Sequence, residues 1–298
     1  MTVAAANEKK IKSIQKYIER MPSLSTTVTK VLEICNQPTT SPNDLNKVIS
    51  LDPVLTAQVL KLINSAYYSL PNQITSLARA IIMLGINTVK NLALSTAILG
   101  SIGKEDSFRS LSMDTFWAHS ICSGVVAKAL AARKKVPAMM LEEYFVAGLL
   151  HDLGKIPLNN CFSQEYKQAM DLAHLEQGPL YRAENTILEL DHCVAGEKIG
   201  QKWQFSKPIT EALSCHHDPA KASNENRGLV AIVSLANIYA NINDYGSAGD
   251  LFPAASDITS MLEMVGVTWY DLQSFNEAVK GEIDKAQVFL KVSREASQ

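Results

Sequence analysis

Hydrophobic residues recur along most of this chain at intervals of three and four positions. That spacing places them on one face of an α-helix, whereas half-buried strands show a strict alternation. The residues between the hydrophobic segments are mostly those that begin and end helices, such as serine, aspartate, proline and glycine. The pattern predicts an all-α protein.

Capping residues predict the first helices of the N-terminal region. Ser41 can accept a backbone hydrogen bond, Pro42 fits the first helical position, and Asp44 completes a capping box. Asp52 and Pro53 repeat this arrangement at the start of a second helix, and the two helices are expected to pack as a hairpin. One face of the second helix is apolar and carries Leu55, Val59, Leu62, Ile63 and Ala66.

The next part of the chain predicts two more helices and then a break. Residues 75–84 form a periodic segment that Gly85 would end, and Asn87 is expected to cap the helix that runs toward Leu99. The glycine-bearing polar stretch at 100–110 predicts the break. We therefore expect an N-terminal tail (1–14), an N-terminal helical subdomain (15–112) and a helical bundle with a C-terminal helical extension (113–298).

The bundle is predicted from a series of further helical segments. Residues 241–252, NINDYGSAGDLF, are polar and contain glycine, which predicts a mobile loop. The predicted helical segments are 116–132, 141–150, 164–174, 180–190, 192–203, a segment opened by Ser206 and Pro208, 229–240 and 258–290.

Composition narrows the classes of partner. A hydrophobic fraction of 47% is enough for a sizeable core, and 28 basic against 30 acidic residues leave a net charge of −2. Without a basic excess we expect no direct nucleic-acid partner, and without an apolar run of about 18 residues we expect no membrane partner. The five cysteines are odd in number and widely spaced, and the N-terminus lacks a signal-peptide pattern, which indicates reduced thiols and a cytoplasmic location.

Five of the six histidines occur in short motifs, at His119, His151, His192, His216 and His217. Imidazole and carboxylate are the usual ligands of divalent transition metals, and in the adjacent pair His151-Asp152 one residue can bind terminally while the other bridges two ions. For any single histidine, a hydrogen-bonded core or surface role is the better interpretation, and His174 is assigned that role. Several histidines on converging helices favour a metal centre.

Two parts of the chain resemble the HDOD family. Residues 21–85, beginning MPSLSTTVTKVLEIC, are similar to its N-terminal part, and the segments FVAGLLHDLGKIPL, DHCVAGEKIGQKW and ALSCHH are similar to its C-terminal part. The match covers roughly residues 20 to 220. The resemblance implies an N-terminal helical subdomain packed against an HD-type helical bundle, and a bacterial signalling or regulatory role.

The related HD-GYP cyclic-dinucleotide phosphodiesterases suggest roles for individual residues. The resemblance places metal ligands at His119, His151, Asp152, His192, His216 and His217, and the lysine of the HDxGK motif at Lys155. Three positions depart from that pattern. Asn237 stands where the enzymes have a metal-binding aspartate, Thr115 stands where they can have a glutamate, and HHDPAK lacks the Gly-Tyr-Pro element.

These departures bear on the chemistry. Asp152 is the one carboxylate in the set, and Asn237 can add an amide oxygen but no charge, so the site nearer Asn237 is expected to be the weaker one. We expect one or two divalent transition ions, with iron or manganese ahead of zinc or nickel. Asp152 and Lys155 are the candidate catalytic residues. Lys155 would carry substrate phosphate or would be an exposed lysine near a helix end, and the sequence leaves both interpretations open.

Other chemistry-bearing residues have simpler interpretations. Cys193 and Cys215 lie beside the histidines but fit small core residues better than metal or redox groups. The aromatic residues Tyr67, Tyr68, Trp117 and Trp203 could stack on bases, although packing in a core or between subdomains is the better default at this net charge.

The sequence thus predicts a bacterial cytoplasmic HDOD signalling module with a partly retained HD-type metal site that is not an efficient phosphodiesterase. Such a module would act through a signalling protein partner, which the sequence does not identify, and a nucleotide or phosphate ligand is left open. The alternative is an active metal-dependent phosphohydrolase acting on a nucleotide or cyclic dinucleotide. A third hypothesis is a structural adaptor without a ligand.

Overall fold

The computed structural model describes residues 3–35, 37, 39–102 and 110–295. Across these residues the chain forms eighteen α-helices and two short 3-10 helices, with no β-strand, which confirms the predicted all-α class. The helices are α1 (Val3–Arg20), α2 (Thr26–Cys35), α3 (Pro42–Ile49), α4 (Pro53–Ile63), α5 (Leu77–Leu84), α6 (Ile86–Ile102), α7 (Met113–Arg133), α8 (Leu141–Leu150), α9 (Lys155–Cys161), α10 (Ser163–Glu176), α11 (Leu180–Leu188), α12 (His192–Lys202), α13 (Lys207–Cys215), α14 (Arg227–Ile242), α15 (Ala255–Val265), α16 (Trp269–Gln273), α17 (Asn276–Ala286) and α18 (Val288–Glu295).

The N-terminal helices begin where their capping residues predict. The Ser41 side chain accepts a hydrogen bond from the backbone N–H of Asp44, and the Asp44 carboxylate accepts one from the Ser41 N–H at 3.1 Å. The Asp52 carboxylate accepts a hydrogen bond from the Leu55 N–H at 2.9 Å at the start of α4. Each cap satisfies a backbone donor that a helix leaves unpaired at its first turn.

The junction of α5 and α6 differs from the prediction. Gly85 adopts a φ of +86°, which side chains disfavour, and α6 begins at Ile86 directly after it. Asn87 therefore lies inside α6 and does not cap it. The helix also continues through Gly100, so the predicted break at 100–110 falls mainly on residues 103–109, which lie outside the described part of the chain.

Among the described helices, none is by itself both long and apolar enough to cross a membrane. Helices α5 and α6 are long and apolar enough only when taken together, and they are bent by 120° where they join.

The bundle is centred on α7, which packs against α8 and α14. Its helix pairs α10–α11 and α12–α13 are neighbours in sequence and in space, as short connections favour. In α7, Phe116 is fully buried. A run of small buried residues in the same helix lets the neighbouring helices approach closely. This centre positions the histidine motifs.

Helices α1 and α18 connect the N-terminal helices with the bundle. Helix α1 packs on α9 and α12 of the bundle, with Ile14 and Ile18 buried, so the predicted tail boundary at residue 14 falls inside a helix. Helix α18 packs on α4 and α6, and the Phe289 ring lies 5.4 Å from that of Tyr67. Each terminal helix therefore contacts the part of the fold that is distant from it in sequence.

Candidate metal centre

The His-Asp pair lies in a tight turn between two helices. Helix α8 ends at Leu150, the turn carries His151 and Asp152, and Lys155 begins α9. All three polar side chains are fully buried. At Gly154 a Cβ would lie 1.8 Å from the carbonyl oxygen of His192, so only glycine allows this turn to reach the start of α12.

The Asp152 carboxylate lies between two groups of imidazoles. Its Oδ2 lies 3.3 Å from Nε2 of His151 and 3.6 Å from Nε2 of His119, which comes from α7. Its Oδ1 lies 3.3 Å from Nε2 of His192 and 3.6 Å from Nε2 of His216. Predicted ligands from four separate segments thus surround one carboxylate. Its Oδ2 faces His119 and His151, and its Oδ1 faces His192 and His216.

The outer ring nitrogens show which way the imidazole lone pairs point. Nδ1 of His151 lies 2.7 Å from the carbonyl oxygen of Gly148, and Nδ1 of His216 lies 2.9 Å from that of Ala212. A carbonyl oxygen only accepts, so each Nδ1 donates its proton and leaves the Nε2 lone pair directed at the centre. Nδ1 of His192 donates in the same way to a carboxylate oxygen of Glu184 at 2.6 Å.

The distances among the inner nitrogens fit a metal ion. Nε2 of His192 lies 3.1 Å from Nε2 of His216 and 3.0 Å from Nε2 of His217. Lone pairs this close repel one another unless a proton or a metal cation lies between them. Ligand nitrogens about 2.0–2.1 Å from a metal are about 2.9–3.4 Å apart at neighbouring positions, which brackets these separations.

Buried polar atoms without partners support the same interpretation. Within the described residues, Nε2 of His151, both ring nitrogens of His119 and Oδ1 of Asp152 have no hydrogen-bond partner. Buried polar groups are normally satisfied, and a cation coordinated by Oδ1 of Asp152 would satisfy that oxygen, whereas Nε2 of His119 and Nε2 of His151 lie on the side of Oδ2. The donor set of nitrogen and oxygen atoms suits iron, manganese, zinc or nickel.

Burial keeps most of the ligands in the protonation state that binds metal. It lowers the pKa of His119 to about 3 and that of His216 to about 4, so both imidazoles are neutral near pH 7. Burial would also lower the pKa of His192, but the adjacent Glu184 carboxylate raises it above its ordinary value. For Asp152, burial opposes ionisation, yet His151 and Lys155 hold its pKa well below the usual range.

The structure corrects the interpretation of Lys155 as an exposed lysine. Its side chain is fully buried, and Nζ donates to Oδ2 of Asp152 and to Oδ2 of Asp250, each at 2.8 Å. Burial would lower the pKa of Lys155, but the two carboxylates raise it above its ordinary value, so the group is an ammonium. Lys155 is therefore an internal cation of the centre.

Sequence reasoning missed two carboxylates. Glu184 from α11 orients His192, and Asp250 binds Lys155 from the segment after α14, so Asp152 is not the one carboxylate in the site. Asp250 also accepts the backbone N–H of Leu180 at 2.8 Å. The stretch 241–252, predicted as a mobile loop, is thus anchored to the centre by a buried residue.

Asn237 lies in α14, beside the centre. Its side chain is buried and accepts a hydrogen bond from Nδ2 of Asn241 at 3.1 Å. Together with His216, His217 and Asp250 it lines a small pocket. It contributes an amide, with no negative charge for a cation.

The remaining candidates occupy ordinary positions. His174 is exposed. Cys193 is buried, with Sγ 3.8 Å from Nδ1 of His216, and burial raises the pKa of its thiol well above the ordinary value. Its Sγ lies within 4.8 Å of ring nitrogens of His192, His216 and His217. Trp117 and Trp203 are buried in the core, as the packing interpretation predicts.

A cavity of about 540 Å³ leads to the centre at His217. The Tyr181 ring stacks on the His217 ring, with centroids 4.3 Å apart and planes 24° apart. Three carboxylates, of Asp191, Asp218 and Asp257, also line the cavity. Nζ of Lys221 lies 3.3 Å from the carboxylate of Asp218, so the one lysine of the lining is paired with an acid.

Comparison with known sequences matches a family to the part of the chain that contains the motif histidines and Asp152. The sequence model of the HDOD domain matches residues 21–219, two thirds of the chain. An uncharacterised protein of Treponema pallidum (strain Nichols) is 23% identical over 226 residues, which cover 76% of this chain and 43% of that protein. The chain spans less than half the length of the curated relatives it matches.

Solved structures share the fold. An HDOD domain protein of unknown function from Geobacter sulfurreducens aligns with a TM-score of 0.69 at 23% identity, over 94% of this chain and 98% of that one. A protein of Marinobacter aquaeolei, provisionally named a signal transduction protein, aligns with a TM-score of 0.70 at 19% identity, over 97% and 66% of the two chains. At these identities the likeness concerns the fold.

Proposed function

Because the chain belongs to the HDOD family, we propose that it is a signalling module built around an HD-type metal centre and that it does not hydrolyse phosphodiesters efficiently. The observation that carries the metal centre is the meeting of the inner nitrogens of His192, His216 and His217 at 3.0–3.1 Å. Oδ1 of Asp152 completes the set. A divalent transition ion bound there would supply Lewis acidity and a fixed positive charge.

The residues around the centre hold its ligands in place. Glu184 accepts hydrogen bonds from both Nδ1 and the backbone N–H of His192, which fixes the ring orientation. The carbonyl oxygen of Ala212 orients His216 in the same way. Such outer contacts raise the basicity of imidazole ligands and set their tautomer.

Two observations support a regulatory role over efficient hydrolysis. Lys155 is buried between two carboxylates and does not line the cavity, so its ammonium is not presented to a substrate phosphate. The lining of the cavity holds three carboxylates, of Asp191, Asp218 and Asp257, and its one lysine is paired with Asp218, so the lining presents no unpaired lysine to a phosphodiester anion. In such a module the signal would pass through contacts with a protein partner in the bacterial cytoplasm.

The second candidate function is a metal-dependent phosphohydrolase. The cavity that reaches His217 favours it, because a volume of about 540 Å³ is enough for a small-molecule substrate. A nucleotide or cyclic dinucleotide would be the substrate, and Asp152 would hold the ion that activates water.

Metal analysis of tag-free protein tests the centre. After loading with manganese or ferrous iron and dialysis, we expect the protein to retain metal and Asp152→Asn to retain less than about a tenth as much. Asp218→Asn removes a carboxylate of the same cavity that does not touch the inner nitrogens, and it should retain metal like the parent. Absence of bound metal in the parent protein would overturn the proposal.

Turnover distinguishes the two candidate functions. Cyclic dinucleotides and a generic phosphodiester are incubated with the metal-loaded protein and with Asp152→Asn. The signalling role predicts equal, background hydrolysis by the two proteins. Metal-dependent hydrolysis that Asp152→Asn abolishes would establish the phosphohydrolase instead.

A further inference from the structure

One side of the Asp152 carboxylate already holds a cation. The ammonium of Lys155 lies 2.8 Å from Oδ2 of Asp152 and 2.8 Å from Oδ2 of Asp250, and all three side chains are buried. The opposite oxygen, Oδ1, has no hydrogen-bond donor within the described residues. The two oxygens of one carboxylate therefore meet different environments.

The ammonium lies on the side where His119 and His151 would bind a metal ion. Their Nε2 atoms approach Oδ2, at 3.6 and 3.3 Å, which is the oxygen that Lys155 occupies. An ion held by these groups would share Oδ2 with the ammonium in a site closed to water, where like charges repel strongly.

Asp250 fixes the ammonium in this place. Its Oδ2 accepts from Lys155, and its Oδ1 accepts the backbone N–H of Leu180 at 2.8 Å. It lies outside the matched family region of 21–219, in the segment between α14 and α15. The C-terminal part of this chain therefore supplies the counter-charge that holds Lys155 in the core.

We infer that the ammonium of Lys155, held by Asp250, takes the place of a second metal ion, so that the centre binds a single divalent ion on the side of His192, His216 and His217. This inference rests on the proposed metal centre and deepens it. Lys155 and Asp250 are positioning residues here, because they set the charge around Asp152. Nε2 of His119 and Nε2 of His151 then bind no metal ion and stay against Oδ2 of Asp152, at 3.6 and 3.3 Å.

Cobalt titration of tag-free protein, with bound metal counted after equilibrium dialysis and followed by visible absorption, tests the inference. The expected stoichiometry is one Co²⁺ per chain. Two ions per chain would overturn the inference and leave the proposed metal centre intact. If no ion binds, the proposed centre itself fails and the inference fails with it.

Alanine substitutions on the two sides of Asp152 show where the ion lies. His217→Ala is expected to weaken Co²⁺ binding at least about tenfold, whereas His119→Ala should change it by less than about threefold. Loss of the single ion in His119→Ala would overturn the inference, because the ion would then lie on the Lys155 side.

Removing the internal cation should create the second site. Lys155→Met keeps the length of the side chain without its charge, and it is expected to bind two Co²⁺ ions, the second of which is lost when His119→Ala is added. Lys207→Met changes a lysine that is 62% exposed and should still bind one. If Lys155→Met fails to fold because the Asp250 carboxylate is left buried without its partner, Asp250→Asn is added to remove that charge. The number of bound Co²⁺ ions is then counted in the double variant. A folded variant of either kind that still binds one ion would overturn the inference.

Discussion

The helices of residues 26–84 and the centre of the bundle bury very different side chains. Over residues 26–84 the buried side chains are apolar, from Val28 in α2 to Ile81 in α5. The centre of the bundle instead buries two histidine groups, Asp152, Glu184 and Lys155. Burying charge is costly unless each charge is paired, whereas burying apolar area stabilises directly. The apolar burial of residues 26–84 therefore stabilises the fold directly, whereas the polar groups of the bundle centre need partners to be satisfied.

The largest expected effect is that of Gly154→Ala in the bundle. Since the new Cβ would meet the carbonyl oxygen of His192 at 1.8 Å, the turn and α12 must separate, at a cost of more than about 4 kcal/mol of unfolding free energy, with loss of metal binding. Chemical denaturation with and without metal measures both. Gly281→Ala is the matched control, because no atom lies within 4 Å of that Cβ, and a parent-like stability for Gly154→Ala would contradict the packing described.

Leu62→Ala in the N-terminal region should separate stability from binding. Leu62 is 1% exposed, so its truncation leaves a cavity that costs about 2–5 kcal/mol, while the metal affinity of the remaining folded protein stays the same. Denaturation and metal titration check the two parts of this prediction. Leu51→Ala, at a residue that is 81% exposed, should change neither, and a weaker metal affinity in Leu62→Ala would show that the two regions are coupled.

The pH dependence of metal-free protein should come from the bundle. The pKa of His216 is lowered to about 4 in the folded state, whereas it is about 6.5 in the unfolded chain. As the pH falls from about 6.5, His216 is therefore protonated in the unfolded chain before it is protonated in the folded protein. Stability is therefore lost between about pH 6.5 and pH 4, by about 3 kcal/mol for this residue. Since His192 has a raised pKa and contributes with the opposite sign, the test compares variants at each pH.

In that comparison His216→Gln should show a smaller loss of unfolding free energy between pH 6.5 and pH 4 than the parent protein. His174→Gln, at an exposed histidine, is the matched control. An unchanged slope in His216→Gln would show that the imidazole is not held neutral in the folded protein.

Glu184→Gln should weaken metal binding without removing a ligand. The amide accepts a weaker hydrogen bond from Nδ1 of His192 than the carboxylate does, so the affinity should fall by about 10- to 100-fold. A metal titration measures this loss, with Glu225→Gln, at an exposed residue, as the control. An affinity equal to that of the parent would mean that Glu184 does not support the ligand.

The smallest expected effect is that of Ser41→Ala at the start of α3. The variant loses the hydrogen bond to the Asp44 N–H and should lose about 1 kcal/mol of stability. Metal binding should not change. Thermal unfolding measures the effect, and a loss above about 3 kcal/mol would mean that this cap supports more than its own helix.

The sequence predicts features whose cause is local. The capping box of Ser41 and Asp44 involves residues three positions apart, and the five motif histidines with Asp152 lie together as the resemblance implies. The sequence predicts that Asn87 caps α6, but Gly85 reaches a positive φ and the helix begins at Ile86, two residues earlier than that cap would place it. That outcome depends on backbone geometry that a list of capping residues does not contain.

The carboxylates that complete the centre could not be predicted in this way. Asp250 lies 95 residues from Lys155, in a stretch whose composition indicates an exposed loop. Glu184 lies in a helix with polar neighbours and shows its role only through its contact with His192. A fully buried lysine requires a partner, but burial itself becomes visible only in the fold.

Anomalous diffraction from crystals of the tag-free protein soaked in Mn²⁺ or Co²⁺ locates the bound ion. We expect one anomalous peak per chain, within coordination distance of Asp152, His192, His216 and His217. A peak beside His119 and His151, two peaks, or no peak at full soaking would contradict it.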